Sequence, residues 1–89
     1  MRPGCVKVES RGSLWWFDDM AGEYLRLPKT EKPRERSEWS DGRAGILQDG
    51  VWLPMVRWWI DEALLALRVE IPNTRKKILA PEARIVGPT

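Results

Sequence analysis

The sequence predicts a mainly β protein, a small antiparallel barrel or sandwich of about six to eight short strands. Three observations indicate this fold. Aromatic and β-branched residues are concentrated in short segments, these segments are separated by Gly, Pro, Asn and Asp, and apolar residues alternate with polar ones along several of them. With 89 residues, we expect a single domain spanning 1–89, near the size at which one core is just sufficient.

Residues 13–27, SLWWFDDMAGEYLRL, predict a β-hairpin. The connection 18–22 has turn chemistry, because Asp can hydrogen-bond nearby backbone and Gly22 can adopt a positive φ. With a loop over 18–22, alternation along the strands predicts a core-facing set of Trp15, Phe17, Leu25 and Leu27. The opposite, half-solvated face would then hold Leu14, Trp16, Tyr24 and Arg26. A one-residue slip would exchange the cross-strand partners.

The segments around this hairpin are less regular. Residues 5–10 alternate valines with charged side chains and predict a half-buried strand. Residues 28–45 contain two prolines and dense mixed charge, which predicts a long charged loop. Residues 46–53 predict a second hairpin turning at Asp-Gly. Pro54 lacks a backbone donor and therefore belongs at a sheet edge or a strand end.

Residues 55–66 have two interpretations. Val, Ile and the adjacent tryptophans favour a strand over 55–60, in which Val56, Trp58 and Ile60 would face inward and Arg57, Trp59 and Asp61 outward. A short helix would instead form one apolar stripe, which would consist of Val56, Trp59, Ile60, Ala63, Leu64 and Leu67. The clean alternation of 65–71 predicts a strand, and residues 72–74 predict a turn. One or two closing strands are expected within 77–86.

The composition argues against an enzyme. The chain has no histidine and one cysteine, which excludes a Cys–His nucleophile pair within one chain and removes the commonest zinc ligand. There is no phosphate-binding or dinucleotide-binding motif, so we expect no catalytic residues, no metal site and no cofactor. Some small ribonuclease toxins work without histidine, and catalysis therefore stays as a third hypothesis.

The expected location is the cytoplasm. A lone cysteine cannot form an internal disulfide, as is typical of proteins in a reducing compartment. No segment resembles a signal peptide or approaches the ~20 apolar residues of a membrane span. The net charge of +2 produces no strong overall field.

Tryptophan is the unusual feature of the composition. Six tryptophans occur in 89 residues, and two pairs are adjacent in sequence. Neighbouring strand residues point to opposite faces, so one small interior is not expected to shelter every indole unless another element covers the outer face. We therefore predict a protein-interaction module that binds itself or a larger protein, with no membrane or small-molecule partner. The predicted partner-binding residues are Trp16, Tyr24, Arg26, Trp39, Arg57 and Trp59.

Nucleic-acid binding is the alternative function. Small β-barrels combine stacking aromatics with basic loops, and the basic side chains here include Lys29, Lys32, Arg34, Arg36, Arg43, Arg75, Lys76 and Lys77. Acidic residues interleave with the first five of these, as is typical of a solvated polyampholyte rather than a basic arm.

In general character the chain resembles the short orphan proteins of actinobacteriophages. The resemblance rests on an excess of Arg over Lys, abundant Trp, the length of 89 residues and phrases such as GSLWWFDDMAGEYLRLPK. It implies a small accessory protein in a bacterial host that acts by binding host or phage components. It carries over no functional residues.

Overall fold

The computed structural model describes residues 2–29, 50–74 and 77–88. Within these ranges the chain is mainly β, as predicted, and its strands form two antiparallel sheets in a sandwich-like arrangement rather than a closed barrel. The strands are β1 (Val6–Glu9), β2 (Ser13–Asp18), β3 (Glu23–Pro28), β4 (Leu53–Pro54), β5 (Arg57–Asp61), β6 (Ala66–Glu70), β7 (Lys77–Ala80) and β8 (Arg84–Pro88).

The larger sheet has the strand order β4-β3-β2-β1-β8, and the smaller has the order β5-β6-β7. The last strand therefore returns to pair with the first, which ties the two ends of the chain together. Pro54 lies in the short edge strand β4, as its missing N–H predicts.

One hydrophobic core lies between the two sheets. Its largest side chains come from the β2–β3 hairpin, and they meet the inner residues of β6 and β7. The buried members are Val8, Trp15, Phe17, Tyr24, Met55, Leu67, Val69, Ile78, Ala80 and Ala83. The buried Trp15 indole N–H also has a partner, because it donates to Ser10 Oγ at 3.0 Å.

The predicted hairpin forms, but its predicted register is wrong by one residue. Asp18 pairs with Glu23, so only residues 19–22 lie outside the β2–β3 ladder. The Asp18 carbonyl oxygen accepts the Gly22 N–H at 2.9 Å, and its carboxylate accepts the Ala21 N–H at 3.0 Å. Asp18 therefore closes the turn as the last ladder residue. Gly22 adopts the expected positive φ of 67°.

The segment 55–66 is a strand followed by a turn, and no helix occurs in the ranges that the structure describes. Trp58 and Ile60 pack against the main core, as the strand interpretation predicts. Val56, which that interpretation also placed inside, lies just before β5 and is 57% exposed. These ranges likewise contain no helix long and apolar enough to cross a membrane.

Several predictions lie outside the described residues. They concern all of the 28–45 loop beyond Lys29 and the first half of the hairpin predicted for 46–53. The predicted turn at 72–74 forms, with Asn73 at a φ of 60°. Leu65, predicted to begin a strand, lies instead in the exposed β5–β6 turn, also with a positive φ.

Candidate functional site

Two of the predicted partner-binding residues lie in the core. Tyr24 and Arg26 are each only 1% exposed, because the one-residue shift turns them to the same face as Trp15 and Phe17. The Arg26 guanidinium carbon lies 5.6 Å from the Trp15 ring centroid. Burial raises the pKa of the Tyr24 phenol to about 12. The predicted exposure of these two side chains is therefore corrected.

Trp16 does lie on the outer face of the five-stranded sheet, but it is only 8% exposed. It forms a second hydrophobic cluster with Cys5 and Leu25, against which Leu14 and Trp52 pack. The Lys7 ammonium lies 5.4 Å from its ring centroid. The adjacent Trp15 and Trp16 thus point to opposite faces and are both buried. Trp15 lies in the core between the sheets, and Leu14 and Trp52 form the cover over the Trp16 cluster.

Arg2 holds part of that cover in place. Its guanidinium carbon lies 4.0 Å from the Trp52 ring centroid, and its Nη1 donates to Asp18 Oδ2 at 3.2 Å and Glu23 Oε1 at 2.6 Å. Sequence reasoning assigned no role to Arg2 or Trp52. Arg2 and Trp52 are far apart in sequence and contact each other only in the folded protein. A local sequence pattern therefore could not predict their role.

The predicted residues that remain accessible lie on the outer face of the three-stranded sheet. Arg57 and Trp59 both occur on β5, and the Arg57 side chain is 65% exposed. Its guanidinium carbon lies 4.8 Å from the Trp59 ring centroid, within cation–π range. Trp59 is half-buried and lies directly opposite Arg68 of β6, which in turn lies opposite Leu79 of β7.

We call this surface the Trp59 face. Strand register and side-chain alternation assign to it Arg57, Trp59, Asp61, Ala66, Arg68, Glu70, Lys77 and Leu79. Its middle row is Trp59, Arg68 and Leu79, so a charged guanidinium lies between the aromatic and the aliphatic side chain.

The charges on the Trp59 face are largely paired. Glu70 lies 3.4 Å from Arg57 and 4.0 Å from Lys77, measured between side-chain nitrogen and oxygen atoms. Arg68 Nη2 lies 3.3 Å from Asp61 Oδ2. Arg68 Nε is buried and has no hydrogen-bond partner among the described residues. The face therefore combines one aromatic and one aliphatic side chain with charged groups that are mostly paired with one another.

A shallow pocket of about 400 Å³ borders one end of this face. It is lined by Val56, Glu70, Ile71, Asn73, Thr74 and Lys77. Across the described ranges, no three His, Cys, Asp or Glu side chains cluster as a metal site requires. The residues of the Trp59 face offer apolar contact and ion pairs.

The basic residues proposed for nucleic-acid binding do not form one described surface. Lys29 Nζ lies 3.2 Å from Glu9 Oε2 on the five-stranded sheet, while Lys77 faces Glu70 on the other sheet. Outside the described residues lie Lys32, Arg34, Arg36, Arg43, Arg75 and Lys76, together with the predicted partner-binding Trp39.

Comparison of the chain with protein-family models, with curated proteins and with solved structures finds no match.

Proposed function

We propose that this protein is a non-catalytic protein-interaction module and that it binds its partner through the Trp59 face. The observation that carries the proposal is the stacked pair of Arg57 and Trp59 on an exposed sheet surface. Trp and Arg are the residue types most enriched at binding hot spots. Because the two side chains already contact each other, less side-chain entropy is lost when a partner orders them.

The charge balance favours a protein partner over nucleic acid. Three cationic side chains on the face stand beside two carboxylates that lie within 4.0 Å of them. A surface that binds a phosphate backbone needs uncompensated positive charge, since the release of counterions supplies most of the affinity. A surface that combines an aromatic side chain with paired charges of both signs is instead typical of a protein interface.

A capture experiment with a matched pair of variants tests the proposal. Trp59→Ala removes the aromatic side chain of the face, and Met20→Ala truncates another surface side chain, 99% exposed at the tip of the β2–β3 hairpin. We expect the wild type and Met20→Ala to retain the same proteins from a bacterial lysate, and Trp59→Ala to lose them. A bacterial lysate is chosen because the resemblance to phage accessory proteins proposes a bacterial cytoplasm as the working environment.

Two results would count against this function. Equal retention by all three proteins would place binding elsewhere, provided that urea unfolding shows Trp59→Ala to be folded. Retention on immobilised DNA or RNA with a steep salt dependence would favour the nucleic-acid alternative, because each phosphate contact adds about one unit to the slope of log affinity against log salt.

A further inference from the structure

We propose that β8 is a displaceable strand and that, when β8 leaves, the freed edge of β1 binds an extended segment of a partner protein. In this proposal β1 is a strand-binding site that the chain's own last strand occupies. The site goes beyond the Trp59 face, because β1 and β8 belong to the five-stranded sheet whereas the Trp59 face belongs to the three-stranded one.

The first observation is that β8 adds nothing to the hydrophobic core. Among the described residues, β8 is the one strand that contributes no side chain to either hydrophobic cluster, whereas every other strand supplies one or packs one against a cluster. Ile85 is 56% exposed and Val86 is 42% exposed. Since the burial of apolar surface is the main force that holds a strand in a fold, β8 is held more weakly than the other strands.

The pairing of β8 with β1 is also irregular. Val8 pairs with Ile85 and Lys7 pairs with Gly87, so Val86 has no partner residue in the ladder. Such a bulge disrupts the ladder of hydrogen bonds locally. Within the described ranges, β1 is also the only strand with which β8 makes extensive contact. The departure of β8 would therefore leave the pairing of the other strands unchanged.

An exposed ion pair holds β8 to β1. Glu9 and Arg84 are cross-strand partners, and Glu9 Oε1 accepts the Arg84 Nε–H at 3.1 Å and an Nη2–H at 2.9 Å. The Arg84 side chain is 74% exposed, and ion pairs in such positions contribute little to stability. The second Glu9 oxygen lies 3.2 Å from Lys29 Nζ. Glu9 therefore keeps a cationic partner when β8 leaves.

The chain just before β8 is fixed, which limits the movement to β8 itself. Ala83 is buried in the core, and its N–H donates to the Leu65 carbonyl oxygen at 2.8 Å. The Pro81 carbonyl oxygen accepts the Arg11 N–H at 3.1 Å. The fixed part of the chain thus ends at Ala83, and only the residues after it need to move.

The register of β8 indicates what the freed edge would bind. An open strand edge binds an extended segment through backbone hydrogen bonds, and alternate side chains give specificity. Arg84 lies opposite Glu9, and Ile85 lies opposite Val8. The partner segment should therefore carry a basic residue followed directly by an aliphatic one. Because β8 occupies the edge in most molecules, it lowers the apparent affinity for such a segment.

Hydrogen exchange of the backbone amides, followed by NMR on the full chain, tests the release of β8. The amides that join β8 to β1 should exchange at least about 100-fold faster than those of the central strand β6. Arg84→Glu places two carboxylates opposite each other and should speed exchange in β8 about tenfold. Arg57→Glu, at a similarly exposed ion pair on the other sheet, should leave exchange in β8 unchanged.

A synthetic peptide of residues 82–89, EARIVGPT, tests the freed edge as a binding site. With a fluorescent label on the peptide, anisotropy measures its binding to the full-length protein. We expect the Arg84→Glu protein to bind the peptide at least about tenfold more tightly than the wild type, because the β1 edge is free in more of its molecules. The same peptide with glutamate in place of its arginine should not bind to either protein.

Four results would overturn the proposal. Exchange in β8 as slow as in β6 would show that β8 does not leave. An Arg84→Glu protein that is unfolded by circular dichroism would show that the fold requires β8. Failure of a folded Arg84→Glu protein to bind the peptide, or equal binding of the two peptides, would show that the freed edge is not a specific site. None of these results bears on the Trp59 face, so this proposal and the proposed function fail separately.

Discussion

Phe17 and Trp58 stack with their ring centroids 4.5 Å apart and their planes 10° from parallel. Phe17 lies on β2 of the larger sheet and Trp58 on β5 of the smaller, so this contact joins the two layers. The Trp58 indole N–H also donates to Asp19 Oδ1 at 2.8 Å, which fixes the tip of the β2–β3 hairpin against β5. Trp58 thus anchors β5 to the larger sheet, and this contact fixes the position of the Trp59 face on the opposite side of the strand.

We expect Phe17→Ala to lower the free energy of unfolding by about 3–5 kcal/mol, because it leaves a cavity beneath Trp58. Urea-induced unfolding followed by circular dichroism measures the loss. Met20→Ala is the surface control and should change stability by less than about 0.5 kcal/mol. A similarly small change for Phe17→Ala would contradict the packing of the two sheets around this stack.

We expect Trp15→Ala and Trp16→Ala both to destabilise the fold, with the larger loss at Trp15. Alternation alone placed Trp16 on the half-solvated face, but Trp16 is buried in its own cluster. Truncating Trp15 should cost about 3–5 kcal/mol. At Trp16 we expect about 2–3 kcal/mol, since the cover formed by Trp52 can relax into the gap. Unfolding curves that show no loss for Trp16→Ala would mean that this cover does not form.

We expect Tyr24 to ionise only at strongly alkaline pH. Its pKa is raised to about 12 by burial, whereas an unfolded tyrosine has a pKa near 10. Because the folded state holds the proton more tightly, stability is full below about pH 10 and falls as the pH rises toward about 12, by about 2–3 kcal/mol in total. The chain has one tyrosine, so the near-ultraviolet absorbance of tyrosinate reports it directly. A midpoint near pH 10 while circular dichroism still shows the folded protein would contradict its burial.

We expect acid to weaken the fold through carboxylates that are paired on the surface. Hydrogen bonds from Arg84 and Lys29 lower the pKa of Glu9, and Arg11 lowers that of Glu82. A lowered folded pKa means that the stabilising effect is present above the unfolded pKa, about 4.3 for Glu, and is lost as the pH falls through the folded value. The urea midpoint should therefore drop below about pH 4. In Glu9→Gln the drop should be smaller, whereas Glu62→Gln, in the exposed β5–β6 turn, should match the wild type.

We expect the Cys5 thiol to react slowly with a disulfide reagent in the native protein. It is fully buried, and burial raises its pKa, so little thiolate is available. Arg2→Ala removes the group that stacks on Trp52 and should increase the labelling rate about tenfold by loosening the cover. Arg11→Ala, which breaks an exposed pair with Glu82, serves as the control. Equal rates for both variants would show that Arg2 does not hold the cover closed.

The hairpin shows how far the sequence could lead. Its two arms and the positive φ of Gly22 followed from residue chemistry alone, because aromatic and branched residues flanked turn formers. Its register did not, because loops of four and of five residues suit this turn equally well on local grounds. The one-residue difference in register decided the environment of Tyr24 and Arg26. They were predicted to lie on a binding surface, and the structure places them in the buried interior.

For the candidate site, β5 was predicted more accurately than the hairpin. Alternation correctly placed Trp58 inward and Trp59 outward, since a strand has only two faces and Ile60 marks the buried one. What covers a face cannot be predicted this way. The burial of Trp16 depends on Trp52 and Arg2, which are far from it in sequence, and alternation contains no information about such partners.

The order of residues by itself determined that this chain forms short antiparallel strands and that its adjacent tryptophans point to opposite faces, because side-chain alternation and turn chemistry are local properties. Only the tertiary structure decided which of those faces are buried. Burial depends on contacts between distant segments, and here such contacts cover the outer face of one sheet over Trp16 while Trp59 stays accessible on the other.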